Sequence, residues 1–386
     1  MNLFSSKIKF PAGVPLGGYS SRKSVTSKSG ELEINGICIK DCITKNESYT
    51  FCSVDTLYPG SLSRLSIADN NFVIAATHTH YAPMLDTTKP KLGSVVPEYL
   101  KHYQQALVGA KKTLVSSPDR CFVYRAEVDG PVYRRFDYPD SLLNKCLSKY
   151  GGSFPNQSYP IDKSLKIFVF TEQERPLFAV VYHACHPVSR SDINELSADY
   201  IKAIRDSVRS RFKVATCLFF LGCAGDIRPN FARKRVEWLP RNRLNWRFNY
   251  SPDLEMQKLF DHNYCAAVIS AKIVDRINLK KNAFRTSYKV VTINGFAQIE
   301  VPFLEIGGEL SFVFLPFEVS HRYNIDLQKC FPEKHYYIVS CAGDTYGYLP
   351  HPTQFNYSGY EVDNSRGVMN LKNRVSFNVE ELWEQE

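Results

Sequence analysis

The chain is 386 residues long, 44% hydrophobic, 23% charged and 13% aromatic, with a formal net charge of +9. This composition is globular and excludes a collagen, a long coiled coil or an intrinsically disordered chain. No run approaches roughly 18 consecutive apolar residues, and Lys7 and Lys9 lead into no apolar core, so neither a transmembrane helix nor a secretory signal is predicted and the expected compartment is cytoplasmic.

In chain order, strands are predicted over 34–42, 49–55 and 72–77, where β-branched and aromatic residues crowd between turn residues and charges. The third run ends in Thr77-His78-Thr79-His80. Strand side chains alternate, so His78 and His80 should face one side of a sheet. Two imidazoles there can bind a metal, or one can bind while the other moves protons; a hydrogen-bonded structural pair is the alternative.

A helix over 97–116, a strand over 121–128 and a loop-rich stretch over 137–160 follow. Strands over 165–170 and 177–182 come next, the second running into His183-Ala184-Cys185-His186-Pro187. Three residues apart, His183 and His186 point to opposite faces of an extended chain, so one of them is expected in a shared site. Pro187 turns the chain there.

A helix over 197–212 precedes a strand over 214–221 and a turn containing Gly222, Gly225, Asp226 and Arg228. Glycines there let backbone approach a ligand, or simply let a strand exit. Residues 231–250 carry six Arg/Lys, one acid, Trp238, Trp246, Phe248 and Tyr250. Such interleaving can grip phosphates and stack on sugars or bases; a solvated charged loop is the alternative. No helix-turn-helix, zinc-finger or RNP-type motif accompanies it, which favours an anionic substrate or a membrane-like surface over nucleic acid.

A helix over 253–278 leads to strands over 288–293, 297–301 and 310–315. Glu318 then opens a helix to 331, as a metal ligand or as a first-turn acid favoured by the helix dipole. A last strand over 336–341 enters a segment rich in tyrosine, including Tyr346, Tyr348, Tyr357 and Tyr360. Phenols bond substrates, stabilise oxyanions or bind metals, or they pack on the core. The last twenty residues read as a peripheral tail. No linker divides the chain, so 1–386 reads as a single α/β domain of mixed β-sheets flanked by helices, with a basic aromatic insertion at about 231–250. The eleven cysteines are scattered without a CxxC pair and read as reduced, mostly buried thiols. GxGxxG, P-loop, HExxH and GxSxG motifs are absent.

The order of these motifs resembles the catalytic N-terminal domain of the neutral ceramidases and, more widely, the ceramidase-like zinc hydrolases. The resemblance begins at Val14-Pro15-Leu16-Gly17-Gly18-Tyr19, includes Ser53-Val54-Asp55 and passes through THTH, HPVS, GCAGDIRPN, LPFE and the tyrosine-rich loop, covering most of the chain. It implies Zn2+ held by His78, His186, Glu318 and Tyr348, with His80, Tyr360 and Arg134 as catalytic residues. Tyr348 and Tyr360 match the family's twelve-residue spacing. Asp226, Arg228 and Arg135 are the expected substrate-binding residues. Arg228 stands where the family carries an active-site serine, and LPHPTQF replaces a pair of glutamates. An arginine in the pocket suggests a substrate carboxylate or phosphate.

The expected function is therefore a zinc-dependent amidohydrolase that removes an N-acyl group, such as an N-acetyl, from an anionic amino-sugar conjugate or lipid-like substrate. A zinc esterase or phosphoester hydrolase on the same scaffold is one alternative, and a non-catalytic binding protein retaining the fold is another. The expected partner is a small-molecule, glycan or lipid-like anionic substrate, with no nucleic acid and with peripheral membrane contact left open.

Overall fold

A computed structural model describes residues 1–19, 22, 25–26, 28–40, 48–64, 70–135, 155–231, 233–239, 243–249, 251–280, 283–356 and 359–382. The apolar runs form strands because both of their faces are covered. In Ser164–Glu172, Ile167 and Val169 join one buried cluster while Phe168 and Phe170 join another.

Three sheets carry the architecture. The N-terminal sheet runs Asn70–Ala76, Ser48–Val54, Gly30–Lys40, Asn2–Phe10 and Thr113–Leu114. The central sheet runs Thr216–Leu221, Arg175–His183, Ser164–Glu172, Arg120–Glu127 and Lys272–Asn278. The C-terminal sheet runs Phe284–Ile293, Ala297–Ile306, Leu310–Phe314 and His335–Val339. Their inner faces meet in one aromatic cluster, with Phe51 and Phe220 at 5.3 and 5.2 Å from Phe314 and Phe168 at 5.4 Å from Phe312. Helices cover the outer faces. Tyr200–Phe212 and Leu254–Ser270 lie on the central sheet, Pro97–Val108 on the N-terminal sheet and His321–Cys330 on the C-terminal sheet.

Each sheet contains one parallel pair among otherwise antiparallel strands: Ser48–Val54 with Asn70–Ala76, Arg175–His183 with Thr216–Leu221, and Leu310–Phe314 with His335–Val339. Parallel neighbours end at the same edge, and ligands in such sheets gather beyond the carboxyl ends of strands. Exits from these three pairs carry His78, His80, His186, Glu318 and Tyr348 of the centre described below.

All eleven predicted strands are present. Four expectations are corrected. The helix predicted over 253–278 stops at Ser270, where Ala271 turns extended and Lys272–Asn278 pairs with Arg120–Glu127. Its Ile-Val run suits an edge strand, and Ile277 buries while Val274 stays exposed. The helix over 97–116 ends at Val108 against Gly109. Glu318 lies not in a helix but in the two-residue strand Glu318–Val319, with Ser320 capping the helix that follows. The supposed tail packs Val375, Phe377, Val379 and Leu382 into the core of the C-terminal sheet. The N-terminal strand Asn2–Phe10 went unpredicted.

Residues 137–154 lie outside the described residues. So do residues 232, 240–242 and 250 and the side chains of 233–239 and 243–249, while the backbones of Arg233–Leu239 and Arg243–Asn249 pair as antiparallel strands. Nine cysteines are described, no disulfide joins any two of them, and Cys330 is the exposed one. No helix among the described residues is long and apolar enough to cross a membrane.

A charged network sits inside this apolar frame. Glu33 is buried and accepts from Arg209 at 3.0 and 2.7 Å, with the Arg205 Nε 3.6 Å away. Burial would push its carboxyl up, but the two guanidiniums outweigh it and hold the group down at about 2, against an ordinary value of 4.5. The stabilisation is fully present above pH 4.5 and is lost as pH falls toward 2. Urea midpoints measured down through this window should fall for the parent by an amount worth about 3 kcal/mol, and less steeply for Glu33→Gln. Equal slopes would remove Glu33 as the titrating group.

Candidate metal centre

His78 and His80 do not sit on a strand as predicted. The strand ends at Ala76, and His78 takes φ +64, a left-handed conformation that costs a non-glycine residue about 1–3 kcal/mol. The two rings still meet, at 5.1 Å and nearly perpendicular. The strained backbone therefore does what alternation was expected to do.

His186 arrives from the exit of Arg175–His183, and its backbone N–H bonds Ile227 O at 3.0 Å. His183 faces away, bonding Ser164 O and the Tyr264 hydroxyl at 3.0 and 2.9 Å. Glu318 arrives from the exit of Leu310–Phe314 and pairs in parallel register with Tyr348. Register partners share a face, so the phenol is brought alongside the carboxylate.

Three atoms converge here. The Nε2 atoms of His78 and His186 are 3.2 Å apart, and Glu318 Oε2 lies 3.3 and 3.2 Å from them. Ligands about 2.0–2.1 Å from a tetrahedral metal stand about 3.3–3.4 Å from one another. The triangle therefore has the edges of three corners of such a site. The ring orientations agree. His78 Nδ1 donates to Leu57 O at 2.9 Å and His186 Nδ1 to Ala224 O at 2.7 Å. A carbonyl only accepts, so each Nδ1 carries a proton and each Nε2 is the nitrogen that faces inward.

The third edge is braced as well. The Tyr58 hydroxyl donates to Glu318 Oε1, leaving Oε2 buried without a hydrogen bond. Burial opposes charge throughout, yet His78 and His186 hold the Glu318 carboxyl well below its ordinary value. Burial and Arg134 push His186 down to about 4, while Cys341 and Glu318 hold His78 well above its ordinary value. A buried carboxylate between two imidazoles calls for a positive charge among them, which a proton on His78 or a metal cation could supply.

His80 places one ring nitrogen within 4.8 Å of a ring nitrogen of His78 and of His186, outside the tighter triangle. Both nitrogens are buried and partnerless among the described residues. Burial, then His78 and His186, push the imidazole well below its ordinary value, so it is neutral at neutral pH. Gly18, at φ +106, makes room for it: a Cβ there would meet His80 Nδ1 at 2.5 Å.

The remaining predicted residues form the support around the triangle. Arg134 Nη2 donates to Tyr348 Oη at 3.2 Å and to Gly225 O at 2.6 Å, while its Nε donates to Glu361 at 2.6 Å. Arg135 meets the same carboxylate at 2.5 and 2.8 Å. Tyr360 stands edge-on to Tyr348 at 5.7 Å. Asp226 is fully buried and accepts from the Ser320 hydroxyl, both His321 donors and Gln354, so it ties its turn to the segment carrying Glu318. Gly225 completes that junction, since a Cβ would strike Glu318 O at 2.8 Å. Arg228 is half-buried and acts electrostatically on Tyr19, whose ring lies 4.9 Å from His80.

Sequence reasoning missed Tyr58, Glu361 and the two orienting carbonyls. Tyr58 lies just past Ser53-Val54-Asp55 and Glu361 beside Tyr360, so motif adjacency was the available signal for both. The carbonyls have no sequence signal.

No protein-family model matches the chain, and no curated protein is significantly similar to it. Solved structures are similar. Against the crystal structure of neutral ceramidase from Pseudomonas aeruginosa the TM-score is 0.64 at 12% identity, over 98% of this chain and 72% of that one. A structure of ceramidase complexed with C2 gives the same values. The chain thus has the neutral ceramidase fold, with three histidines gathered where a metal could be held.

Proposed function

We propose that the protein is a zinc-dependent hydrolase that cleaves the N-acyl amide of an anionic amino-sugar conjugate or lipid-like molecule. The observation that carries this reading is the 3.2–3.3 Å triangle of His78 Nε2, His186 Nε2 and Glu318 Oε2, with both Nδ1 atoms locked on carbonyls. The fold likeness to ceramidases supports the amide class of substrate.

His78, His186 and Glu318 would hold the metal, with Tyr348 as the fourth ligand. A bound zinc supplies a polarised acyl carbonyl and a water acidic enough to react near neutral pH. His80, with two ring nitrogens that have no hydrogen-bond partner among the described residues, would hold and move the proton between an attacking water and the leaving amine. Tyr360 hydrogen-bonds the substrate oxygen, and Arg134 fixes Tyr348 and Glu361 beside it.

The test is amine release from N-acyl substrates by zinc-loaded protein, beginning with N-acetyl amino sugars bearing a carboxylate or phosphate and including an ester analogue. His80→Gln should lower kcat by about 10²- to 10⁴-fold while zinc stays bound. Unchanged turnover in that variant, or none in the parent on any acyl substrate, would sink the proposal.

A further inference from the structure

Arg22 borders the side of the centre formed by His80. Its Nη1 donates to Gly17 O and His80 O, both at 2.9 Å. The opposite edge, Nε and Nη2, is buried and has no partner among the described residues. The guanidinium carbon is 5.0 Å from the Tyr19 ring centroid and 5.8 Å from that of Tyr81. Burial pushes the group below its ordinary value, and Tyr19, Tyr81 and Asp192 do not make up the difference.

Unpartnered buried donors on a cation are costly and call for an explanation. The Nη1 clamp fixes the plane of the guanidinium and so pre-aims the free edge. An Nε–Nη2 edge matches two oxygens of a carboxylate or phosphate through parallel hydrogen bonds. Arg228 acts on the same Tyr19 phenol and adds positive potential there.

We propose that the Nε–Nη2 edge of Arg22 is a recognition site for an oxyanion, a carboxylate or phosphate, carried by the substrate on the His80 side of the centre. This rests on the hydrolase reading for its substrate but not for the binding itself, and the test keeps the two apart.

Calorimetric titration of the full chain with inorganic phosphate and with acetate needs no catalysis. Arg22→Gln should weaken the tighter of the two at least tenfold. Arg22→Lys, which keeps the charge and loses the fork, should fall between parent and Gln variant. In turnover, matched N-acetyl substrates with a carboxylate, a phosphate or a neutral amide should differ in kcat/KM by about ten- to a hundredfold in favour of an anion, expressed in KM. In Arg22→Gln that ratio should collapse to about one. The ratio is insensitive to any general loss from releasing the Gly17 and His80 carbonyls. The oxyanion with the larger ratio names the natural group.

Phosphate and acetate binding alike in parent and Gln variant, or an unchanged substrate ratio, would overturn the assignment. Arg22-dependent anion binding in a protein that hydrolyses no amide would instead leave the assignment standing and reject the hydrolase reading.

Discussion

Replacing His186 by alanine is expected to strip the metal from the protein and abolish hydrolysis. The parent should hold about one zinc per chain, because the geometry offers one closed set of inward-facing ligand atoms. Removing the His186 imidazole leaves His78 Nε2 and Glu318 Oε2 with one edge of the triangle, 3.3 Å long. It also leaves Ala224 O without its donor. Activity should fall by more than about 10³-fold, since the Lewis acid and its activated water go together. Tyr58→Phe is the informative companion. It keeps every ligand but frees Glu318 Oε1, and should cost about 10- to 100-fold in zinc affinity. Metal analysis of the purified proteins and zinc titrations against a competing chelator measure both. Zinc retained at parental stoichiometry in His186→Ala would mean that the metal sits elsewhere.

Arg205→Met should be the most destabilising single change outside the centre. Arg205 is 1% exposed and Asp55 is fully buried, and they meet through two bonds of 2.9 and 2.6 Å. Asp55 also accepts from Thr77 Oγ1 at 3.2 Å and from the Glu33 N–H at 2.9 Å. Removing the cation strands a buried carboxylate, at a cost of about 3–5 kcal/mol. Asp55→Asn combined with Arg205→Met should cost less than the two single changes added together, because the stranded charge is gone. Urea unfolding of the three variants decides this. A loss below about 1 kcal/mol in Arg205→Met would show that the pair contributes little. The same network explains a link to function. Thr77 precedes His78, and Asp55 begins the exit that supplies Leu57 O and Tyr58 to the centre. A destabilised variant that still folds should also bind zinc less tightly.

Much of the framework was readable before any coordinates. Alternating or continuous apolar runs marked all eleven predicted strands because a strand's burial pattern is written in its immediate neighbours. Residues 272–278 misled for the same reason: Ile273, Val274 and Ile277 continue a helical spacing, and only pairing with Arg120–Glu127 makes them a strand. Glu318 was found as a residue but placed in the wrong element, since an acid before a helix looks the same whether it caps or coordinates. The final strand exits looked like separate motifs, and nothing local shows that they share one point.

By itself the sequence determined the α/β class and the strand runs, and it singled out the histidines, glutamate and tyrosines that the structure gathers in one place. Tertiary structure decided how they are arranged. Tyr58 braces Glu318 across 260 positions, Arg134 meets Glu361 across 227, and Arg205 meets Asp55 across 150. Such contacts depend on how three sheets pack, and packing is set by many buried residues at once rather than by any short stretch. The left-handed turn of His78, the carbonyl that fixes the proton on its Nδ1 and the unpartnered edge of Arg22 all arise at that level, where segments distant in sequence meet.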